Sequence, residues 1–253
     1  MLRKTIVPII FMFLAVPLAL VADTASAPVG LTAAQVVEKN VAARGGLQAW
    51  RTVHSLSMSG KLDAGGKQNT QLPFVLEMMR NRKTRLELQF NGQTALQVYD
   101  GVNGWKLRPF LNRHDVEPYT PEELKSASMQ AEIDGPLVDY AAKGTKVQLE
   151  GIQPVEGHDA FNLKLTLKNG QVQHIWVDAQ TFLDVKIDGA PRKLDGKYHP
   201  VSTFFRDYRP VNGLMIPFIN ETAVQGVTQT EKIRIEKVIV NPNLEDSRFA
   251  KPE

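Results

Sequence analysis

The sequence contains no cysteine in its 253 residues. This absence excludes disulfide bonds, thiolate nucleophiles, thiolate metal ligands and the attachment of a lipid to an N-terminal cysteine. A strong excess of one charge is also missing, because 30 Lys and Arg residues stand against 27 Asp and Glu residues. Nucleic-acid binding usually needs a larger basic excess with interleaved aromatic residues, so we expect no nucleic-acid partner.

The common catalytic motifs are absent as well. The chain has no G-x-S-x-G, H-E-x-x-H, P-loop or dinucleotide-binding fingerprint, and its five histidines are scattered without an i, i+4 pair. Glu122 and Glu123 stand at a predicted helix start, where helix capping explains them. We therefore expect no enzyme, no metal and no cofactor. An acid or histidine buried beside an arginine in a cleft would instead indicate an enzyme acting on envelope lipids or glycans.

The first residues have the composition of a secretory signal peptide. Arg3 and Lys4 precede an apolar run over residues 6–21, and small residues follow at 22–27. The alternative is an uncleaved membrane anchor, but the run is short for a span and contains Pro8 and Pro17. We predict a signal peptide over residues 1–27, a mature domain over residues 28–253, and a periplasmic location.

Helical signals occur in two places. Thr32 predicts the N-cap of a helix over residues 33–44 that ends at Gly45 and Gly46, and a short turn with Leu47 and Trp50 follows. Thr120 predicts the cap of a second helix that runs towards residue 133. After a Gly-Pro break, we predict another short helix over residues 137–143.

Elsewhere the hydrophobic pattern has a period of two, which is typical of half-buried strands. Short connections such as Asn91-Gly92 and Asn212-Gly213 predict antiparallel neighbours, and Pro217 predicts a free edge or a bulge in the strand that contains it. The predicted strands begin near residue 55 and then cover 72–80, 84–90, 94–99, 105–108, 146–152, 161–168, 171–177, 184–188, 201–208, 214–223 and 230–240.

These elements predict a mainly β (α+β) fold with about eleven or twelve strands. A sheet of this size curls, and its inner face must be covered. We therefore expect one curved antiparallel half-barrel, covered by the N-terminal and central helices. The sequence shows no internal repeat and no linker that would mark a second domain.

Three stretches resemble the LolA/LolB-like superfamily of periplasmic lipoprotein carriers. They are VVEKNVAARGGLQAWRTVHSLSMSG at 36–60, FRDYRPVNGLMIPF at 205–218 and KVIVNPNLEDSRFAKP at 237–252. The resemblance implies a LolA-like half-barrel whose concave face accepts the acyl chains of lipoproteins or other lipids. It also implies a soluble periplasmic carrier with a role in outer-membrane lipoprotein sorting. The expected partners are lipid or acylated lipoprotein, with envelope membrane proteins as further candidates, and we expect a monomer.

A cavity wall follows from the alternation within the predicted strands and the first helical segment. The predicted ligand-binding residues are Trp50, Met58, Phe74, Leu76, Met78, Leu86, Leu88, Phe90, Trp105, Trp176, Phe205 and Met215. The alternative function is an envelope sensor or protein-interaction module on the same fold, whose sheet is filled by its own side chains. The basic stretch at 80–85 is interpreted as a soluble hairpin tip, with contact to anionic headgroups as its alternative.

Overall fold

A computed structural model describes residues 30–63 and 71–253 of the chain, so the predicted signal peptide lies outside the described residues. The described residues form three α-helices, α1 (Ala33–Ala43), α2 (Leu47–Arg51) and α3 (Pro121–Gln130). The strands are β1 (Ser55–Asp63), β2 (Gln71–Met79), β3 (Lys83–Phe90), β4 (Gln93–Tyr99), β5 (Gly104–Arg108), β6 (Arg113–Pro118), β7 (Lys146–Val155), β8 (His158–Thr166), β9 (Val172–Asp178), β10 (Asp184–Leu194), β11 (Lys197–Val211), β12 (Leu214–Val224) and β13 (Glu231–Val240). Short 3₁₀ turns occur at Pro109–Leu111 and Asp246–Phe249.

All thirteen strands belong to one antiparallel sheet. Their order is β6-β5-β4-β3-β2-β1-β13-β12-β11-β10-β9-β8-β7, so among the described strands only the β1–β13 pair joins strands that are distant in sequence. β6 and β7 form the two edges and do not pair with each other, which leaves the sheet unclosed. No helix in the described residues is long and apolar enough to cross a membrane.

The sheet is strongly curved, because the short helix α3 contacts two strands that are far apart in the sheet order. A helix of 10 residues is about 15 Å long, yet α3 contacts both β5 and β10. Eight strand-to-strand steps separate β5 from β10 in the sheet order, and a flat sheet would place them about 38 Å apart. The two strands must therefore approach each other across the inner face, and the prediction of a curved half-barrel is confirmed.

The core has two main parts between the inner face of the sheet and the segments that cover it. The first lies under α2 and residues 131–144, and its buried members are Trp50, Val53, Leu56, Phe74, Met78, Ile133, Val138, Leu214, Ile216, Phe218 and Ile235. The second lies under α1, and its buried members are Val36, Val37, Leu137, Phe161, Leu163, Leu165, Ile175, Val177 and Ala179. Both halves of the sheet are thus packed under the N-terminal helices at one end.

The N-terminal helix and the β11–β12 hairpin are joined directly. α1 begins after the N-cap Thr32, as the sequence predicts, and Thr32 and Gln35 exchange hydrogen bonds in a capping box. At its other end, the Arg44 carbonyl oxygen accepts a hydrogen bond from the Met215 backbone N–H at 3.1 Å. Asn212 and Gly213 both have positive φ, which forms the tight turn that the sequence predicts.

The prediction for Pro217 is also confirmed. Pro217 pairs with Tyr208 of β11, whereas the ladder between β12 and β13 includes only Ile219 to Thr222. On the side of β12 that faces β13, Pro217 therefore lies outside the ladder. Its lack of a backbone N–H breaks no hydrogen bond to β13.

Two sequence-based predictions are wrong. Residues 137–143 form a series of turns rather than a helix, because Asp139 has a φ of +51° and interrupts the helical conformation. β6 is missing from the predicted strands, so the observed count of thirteen exceeds the expected eleven or twelve. β6 is a short edge strand with mostly exposed polar residues, and its sequence therefore has no apolar alternation.

Candidate functional site

The inner, concave face of the sheet is the candidate site. Directly paired residues of an antiparallel sheet carry their side chains on the same face. The register therefore places Met58 beside Leu76, and Leu76 beside Leu86, on the side that α2 covers. The same face continues through Leu62 and Ile233 of β1 and β13.

Nine of the twelve predicted wall residues belong to this side of the molecule. Seven of them lie in or against one apolar cluster, namely Trp50, Met58, Phe74, Leu76, Met78, Leu86 and Leu88. Phe90 extends the row along β3 and makes an edge contact with Phe110, with ring centroids 5.7 Å apart. Phe205 reaches the same face through its pairing with Asn220, which pairs in turn with Ile233.

Three predicted wall residues lie on the opposite, convex face. Trp105 pairs with Val98, and Val98 pairs with Arg85, which lies on the convex side of β3. Met215 lies between Leu214 and Ile216, which are buried on the concave side, so it belongs to the convex face. These two predicted wall residues therefore do not line the concave face.

Trp176, the third of these residues, belongs to a separate convex cluster. Its indole N–H donates to the Gln153 side-chain oxygen at 3.0 Å. The Lys186 Nζ stands 3.8 Å from the centroid of its ring. Because Val155 and Phe204 pack in the same cluster, Trp176 is held on the outer surface and does not line the concave face.

The concave face is covered unevenly. Near α1 and α2, Phe74, Met78 and Leu214 are buried. Further along the strands, Leu62, Leu88 and Ile233 are only half-buried, although they continue the same apolar surface. This half-covered part is bordered on β11 and β12 by a polar pair, in which the Thr203 and Thr222 hydroxyl groups are 3.0 Å apart.

α3 lies across this face and is anchored at its start. The Lys106 ammonium on the concave side of β5 donates to both carboxylate oxygens of Glu123, at 2.6 and 2.5 Å. Glu123 also completes the capping box with Thr120. Burial alone would raise the pKa of Glu123, but the hydrogen bonds from Lys106 and the Thr120 backbone, with the positive charges of Lys106 and Arg108, lower it below its usual value.

The end of α3 is held from the β2–β3 turn. The Arg82 guanidinium donates to the Ser128 carbonyl oxygen and forms an ion pair with Glu132 at 3.2 Å. None of the residues of α3 is buried. The helix is therefore attached at two ends by polar contacts over an apolar surface, without a packed core of its own beneath it.

Residues 131–144 are fixed by a buried carboxylate. Asp134 accepts hydrogen bonds from Arg80 and Lys143, both at 2.5 Å. Its backbone carbonyl accepts one from Arg44 at 2.9 Å. Arg80 also donates to the Trp50 carbonyl at 2.7 Å. This one segment is thereby connected to α1, α2 and the end of β2.

A second buried polar group joins α1 to β10. The Asn40 amide donates to a carboxylate oxygen of Asp184 at 2.8 Å, and the Arg44 Nε lies 3.6 Å from the other oxygen. Burial raises the pKa of Asp184 despite the opposing effects of Arg44 and Asn40. Burial likewise raises the pKa of Tyr208, whose hydroxyl group donates to the Asp184 carbonyl at 2.9 Å.

These polar anchors have no signal in the sequence. The stretch at 80–85, interpreted from the sequence as a basic hairpin tip, is paired with acids: Arg80, Arg82, Lys83 and Arg85 pair with Asp134, Glu132, Asp246 and Glu87 respectively. The Arg80 and Asp134 partners are 54 positions apart. Arg85 and Glu87 are neighbours on one face of β3, but no spacing in the sequence indicates a pair as distant as Arg80 and Asp134.

Two cavities are open to the surface. One has a volume of about 490 Å³ and lies between α1 and residues 137–142, with Val37, Val41 and Leu47 among its lining residues. The other has a volume of about 390 Å³ and lies around Trp176 and Phe204 on the convex side. Neither is lined by the row of concave residues from Met58 to Phe90.

Comparison with known proteins supports the fold. No protein-family model matches the sequence, and no curated protein matches it. A LolA superfamily protein from Nitrosomonas europaea is similar in structure, with a TM-score of 0.58 and 13% identity over 88% of this chain and 99% of that one. An outer membrane lipoprotein-sorting protein domain from Vibrio parahaemolyticus gives a TM-score of 0.56 and 14% identity over 85% and 95% of the two chains.

A DUF1329 family protein from Desulfovibrio piger is similar to the same extent. Its TM-score is 0.55 at 15% identity, over 86% of this chain and 97% of that one. At such identities the likeness is one of fold. The curved, open antiparallel sheet of this chain therefore has the LolA-like fold that its sequence resembles.

Proposed function

We propose that the protein is a non-enzymatic periplasmic carrier that binds lipid, or the acyl chains of lipoproteins, on the concave face of its half-barrel. The observation that carries the proposal is the combination of a half-covered apolar face and a helix without a buried residue lying across it. The half-buried residues Leu62, Leu86 and Leu88 provide the surface for an acyl chain. The carrier proposal extends to the sorting of outer-membrane lipoproteins, where the cargo would be acylated.

Burial of methylene groups would supply the binding free energy. Each methylene removed from water contributes about 0.8 kcal/mol, so a chain of about twelve carbons gains enough to offset the ordering of ligand and helix. Displacement of α3 from β10 would open the face, while Lys106 and Glu123 would keep its start attached to β5. Release then requires the same movement or a competing acceptor.

Uptake of a fluorescent fatty acyl probe by the mature protein tests this function. Leu88→Gln places an amide on the concave face and should weaken probe binding about tenfold or more. Leu96→Gln is the matched control, because Leu96 is also half-buried but pairs with Glu87 and Leu107 on the convex face. Equal loss in both variants, or no uptake by the folded parent protein, would contradict the carrier proposal.

A second candidate is an envelope sensor or protein-interaction module without cargo. One observation favours it: near α1 and α2 the concave face is filled by the protein's own side chains, including Trp50, Phe74 and Phe218. In that case the folded protein would take up no acyl probe, and substitutions at Leu86 and Leu88 would change stability only. The probe experiment therefore separates the two candidates.

A further inference from the structure

We propose that one rim of the half-barrel binds the surface of an anionic lipid bilayer. This hairpin rim consists of residues 109–113, 193–198 and 225–230, which are the connections after β5, β10 and β12. The proposal goes beyond acyl-chain carriage and does not depend on it, because the exposed rim side chains Leu111, Tyr198 and Val227 are not among the wall residues, although Phe110 of the rim contacts the wall residue Phe90.

The topology brings these three connections to the same end of the sheet. In an antiparallel sheet, successive turns alternate between the two ends. The pairing of Asp63 with Lys232 and of Leu194 with Lys197 places the β10–β11 and β12–β13 turns at the end where β1 finishes. The helices cover the other end, where Arg44 contacts Met215. The rim is therefore the end of the concave face that α1 and α2 leave uncovered.

Each of the three connections carries an exposed large apolar side chain. Leu111, Tyr198 and Val227 are 56%, 59% and 40% exposed. Val172, at the β8–β9 turn of the same end, is 50% exposed. In the described residues, the other exposed large apolar side chains, Val102, Ile152 and Ile239, are dispersed over the opposite end and the body of the sheet. Apolar side chains gathered on one rim indicate an interaction surface.

Lysines that have no carboxylate partner in the described part of the chain lie beside these exposed side chains. Lys193 and Lys197 form no ion pair with any carboxylate of the described residues, and they outnumber Asp195 in the same turn. Arg192 pairs with Glu231 at 2.6 Å and joins the two neighbouring hairpins. At the opposite end, by contrast, the cations at 80–85 are paired with carboxylates.

This combination of groups fits a bilayer surface with anionic headgroups. Tyr side chains favour the membrane–water interface, and lysines near the surface attract anionic lipids while their stems lie along apolar groups. Lys193 Nζ stands 5.8 Å from the centroid of the Tyr198 ring, so the two groups would meet the interface together. Docking by this rim would direct the uncovered end of the concave face at the membrane.

Flotation of the mature protein with lipid vesicles tests the inference. Vesicles of phosphatidylglycerol and phosphatidylcholine should bind the protein at low salt, and vesicles of phosphatidylcholine alone should bind it at least tenfold less. The double variant Lys193→Gln/Lys197→Gln should bind the anionic vesicles about 20-fold less than the parent protein. Tyr198→Ser should also weaken binding while leaving its dependence on salt unchanged.

A matched control removes the same charge from elsewhere. Lys237→Gln/Lys251→Gln alters two exposed lysines outside the rim and should keep vesicle binding within about twofold of the parent. Equal losses in the two double variants, or no binding to anionic vesicles, would overturn the inference. Uptake of a free acyl probe should be unchanged in the rim variants, so failure of rim docking and failure of acyl carriage give different results.

Discussion

The Lys106 ammonium donates to both carboxylate oxygens of Glu123, at 2.6 and 2.5 Å, and thereby joins the first turn of α3 to the middle of β5. Glu123 also accepts a hydrogen bond from the Thr120 backbone N–H in the capping box. One carboxylate therefore both caps the start of α3 and attaches it to the sheet. The remainder of α3 crosses towards β10 without a buried residue. The helix is therefore attached by polar contacts at its first turn and, through Arg82 and Ser128, near its end, and not by buried side chains between them.

Removal of this attachment should loosen α3. In Lys106→Met the aliphatic stem is kept and the charge-assisted hydrogen bonds are lost. Because Glu123 is partly exposed, we expect a loss of about 1 kcal/mol, which makes amide hydrogen exchange in residues 121–130 about fivefold faster. Lys125→Met is the control, since Lys125 is exposed on the same helix. Unchanged exchange in Lys106→Met would contradict the role of this ion pair.

Asp134 should be important for stability. Asp134→Asn leaves Arg80 and Lys143 without their shared carboxylate, although both cations keep some contact with solvent. We expect the free energy of unfolding to fall by about 2–4 kcal/mol. Asp246→Asn, at an exposed carboxylate paired with Lys83, should change it by less than about 0.5 kcal/mol. Urea denaturation of both variants measures the difference, and similar small effects would show that Asp134 does not hold the segment.

The contact between α1 and the β11–β12 hairpin depends on Gly45. Gly45 and Gly46 both have positive φ, of +112° and +91°. A Cβ at Gly45 would lie 2.4 Å from the Gly213 carbonyl oxygen, whereas a Cβ at Gly46 would meet nothing within 4 Å. Gly46→Ala should therefore cost about 1 kcal/mol from backbone strain alone.

Gly45→Ala should cost about 1–3 kcal/mol more than Gly46→Ala, because the hairpin must move away from the new methyl group. Thermal denaturation of the two variants separates the steric effect from the backbone effect. Equal losses would show that the hairpin does not press against the end of α1.

The ion pair between Arg51 and Asp139 predicts a dependence on pH. The guanidinium donates to both carboxylate oxygens, at 2.9 and 2.7 Å, and these hydrogen bonds lower the pKa of Asp139. A lowered pKa in the folded state gives stability that is present above the unfolded pKa of about 3.9 and is lost as the pH falls through the folded value.

Asp139→Asn should therefore melt at a lower temperature than the parent protein at pH 7, and the difference should shrink as the pH is lowered from 7 to below about 4. Asp115→Asn, at an exposed carboxylate of β6, is the control and should match the parent at both ends of this range. A difference between Asp139→Asn and the parent that persists at the acid end would contradict the assigned ion pair.

Local features of the fold could be predicted from the sequence. Thr32 and Thr120 identify the starts of α1 and α3 because side-chain capping is a short-range interaction. Asn212 and Gly213 identify a hairpin turn for the same reason, since two successive positive φ angles are tolerated by few residues. The curvature follows from the number of strands in one sheet.

The faces of individual strands were harder to predict. A shift of one residue transfers every side chain of a strand to the other face, and this explains the placement of Trp105 and Met215 on the convex side. Trp176 lies in a run of buried residues from Ile175 to Asp178, so the burial pattern of β9 does not alternate cleanly. Trp176 was therefore assigned to the wrong face.

Contacts between distant segments could not be predicted at all. Arg80 and Asp134, or Arg44 and Asp184, meet only because helices and strands from different parts of the chain converge at one end of the sheet. Lys106 with Glu123 and Lys143 with Asp134, by contrast, join residues that are 17 and 9 positions apart. The ligand-binding wall predicted from the sequence consists of apolar residues alone, because the alternation of apolar residues is the only signal for it in the sequence.

Native mass spectrometry of the protein, purified gently from the cell that produces it, tests the carrier proposal most directly. If the protein is a carrier, the purified chain should hold a lipid or an acylated peptide at near-stoichiometric amount, and extraction would identify this cargo. The Leu88→Gln variant should carry much less of it, and Leu96→Gln should carry as much as the parent. A parent protein that is empty, and that also takes up no acyl probe while folded, would contradict the carrier function and favour the interaction module.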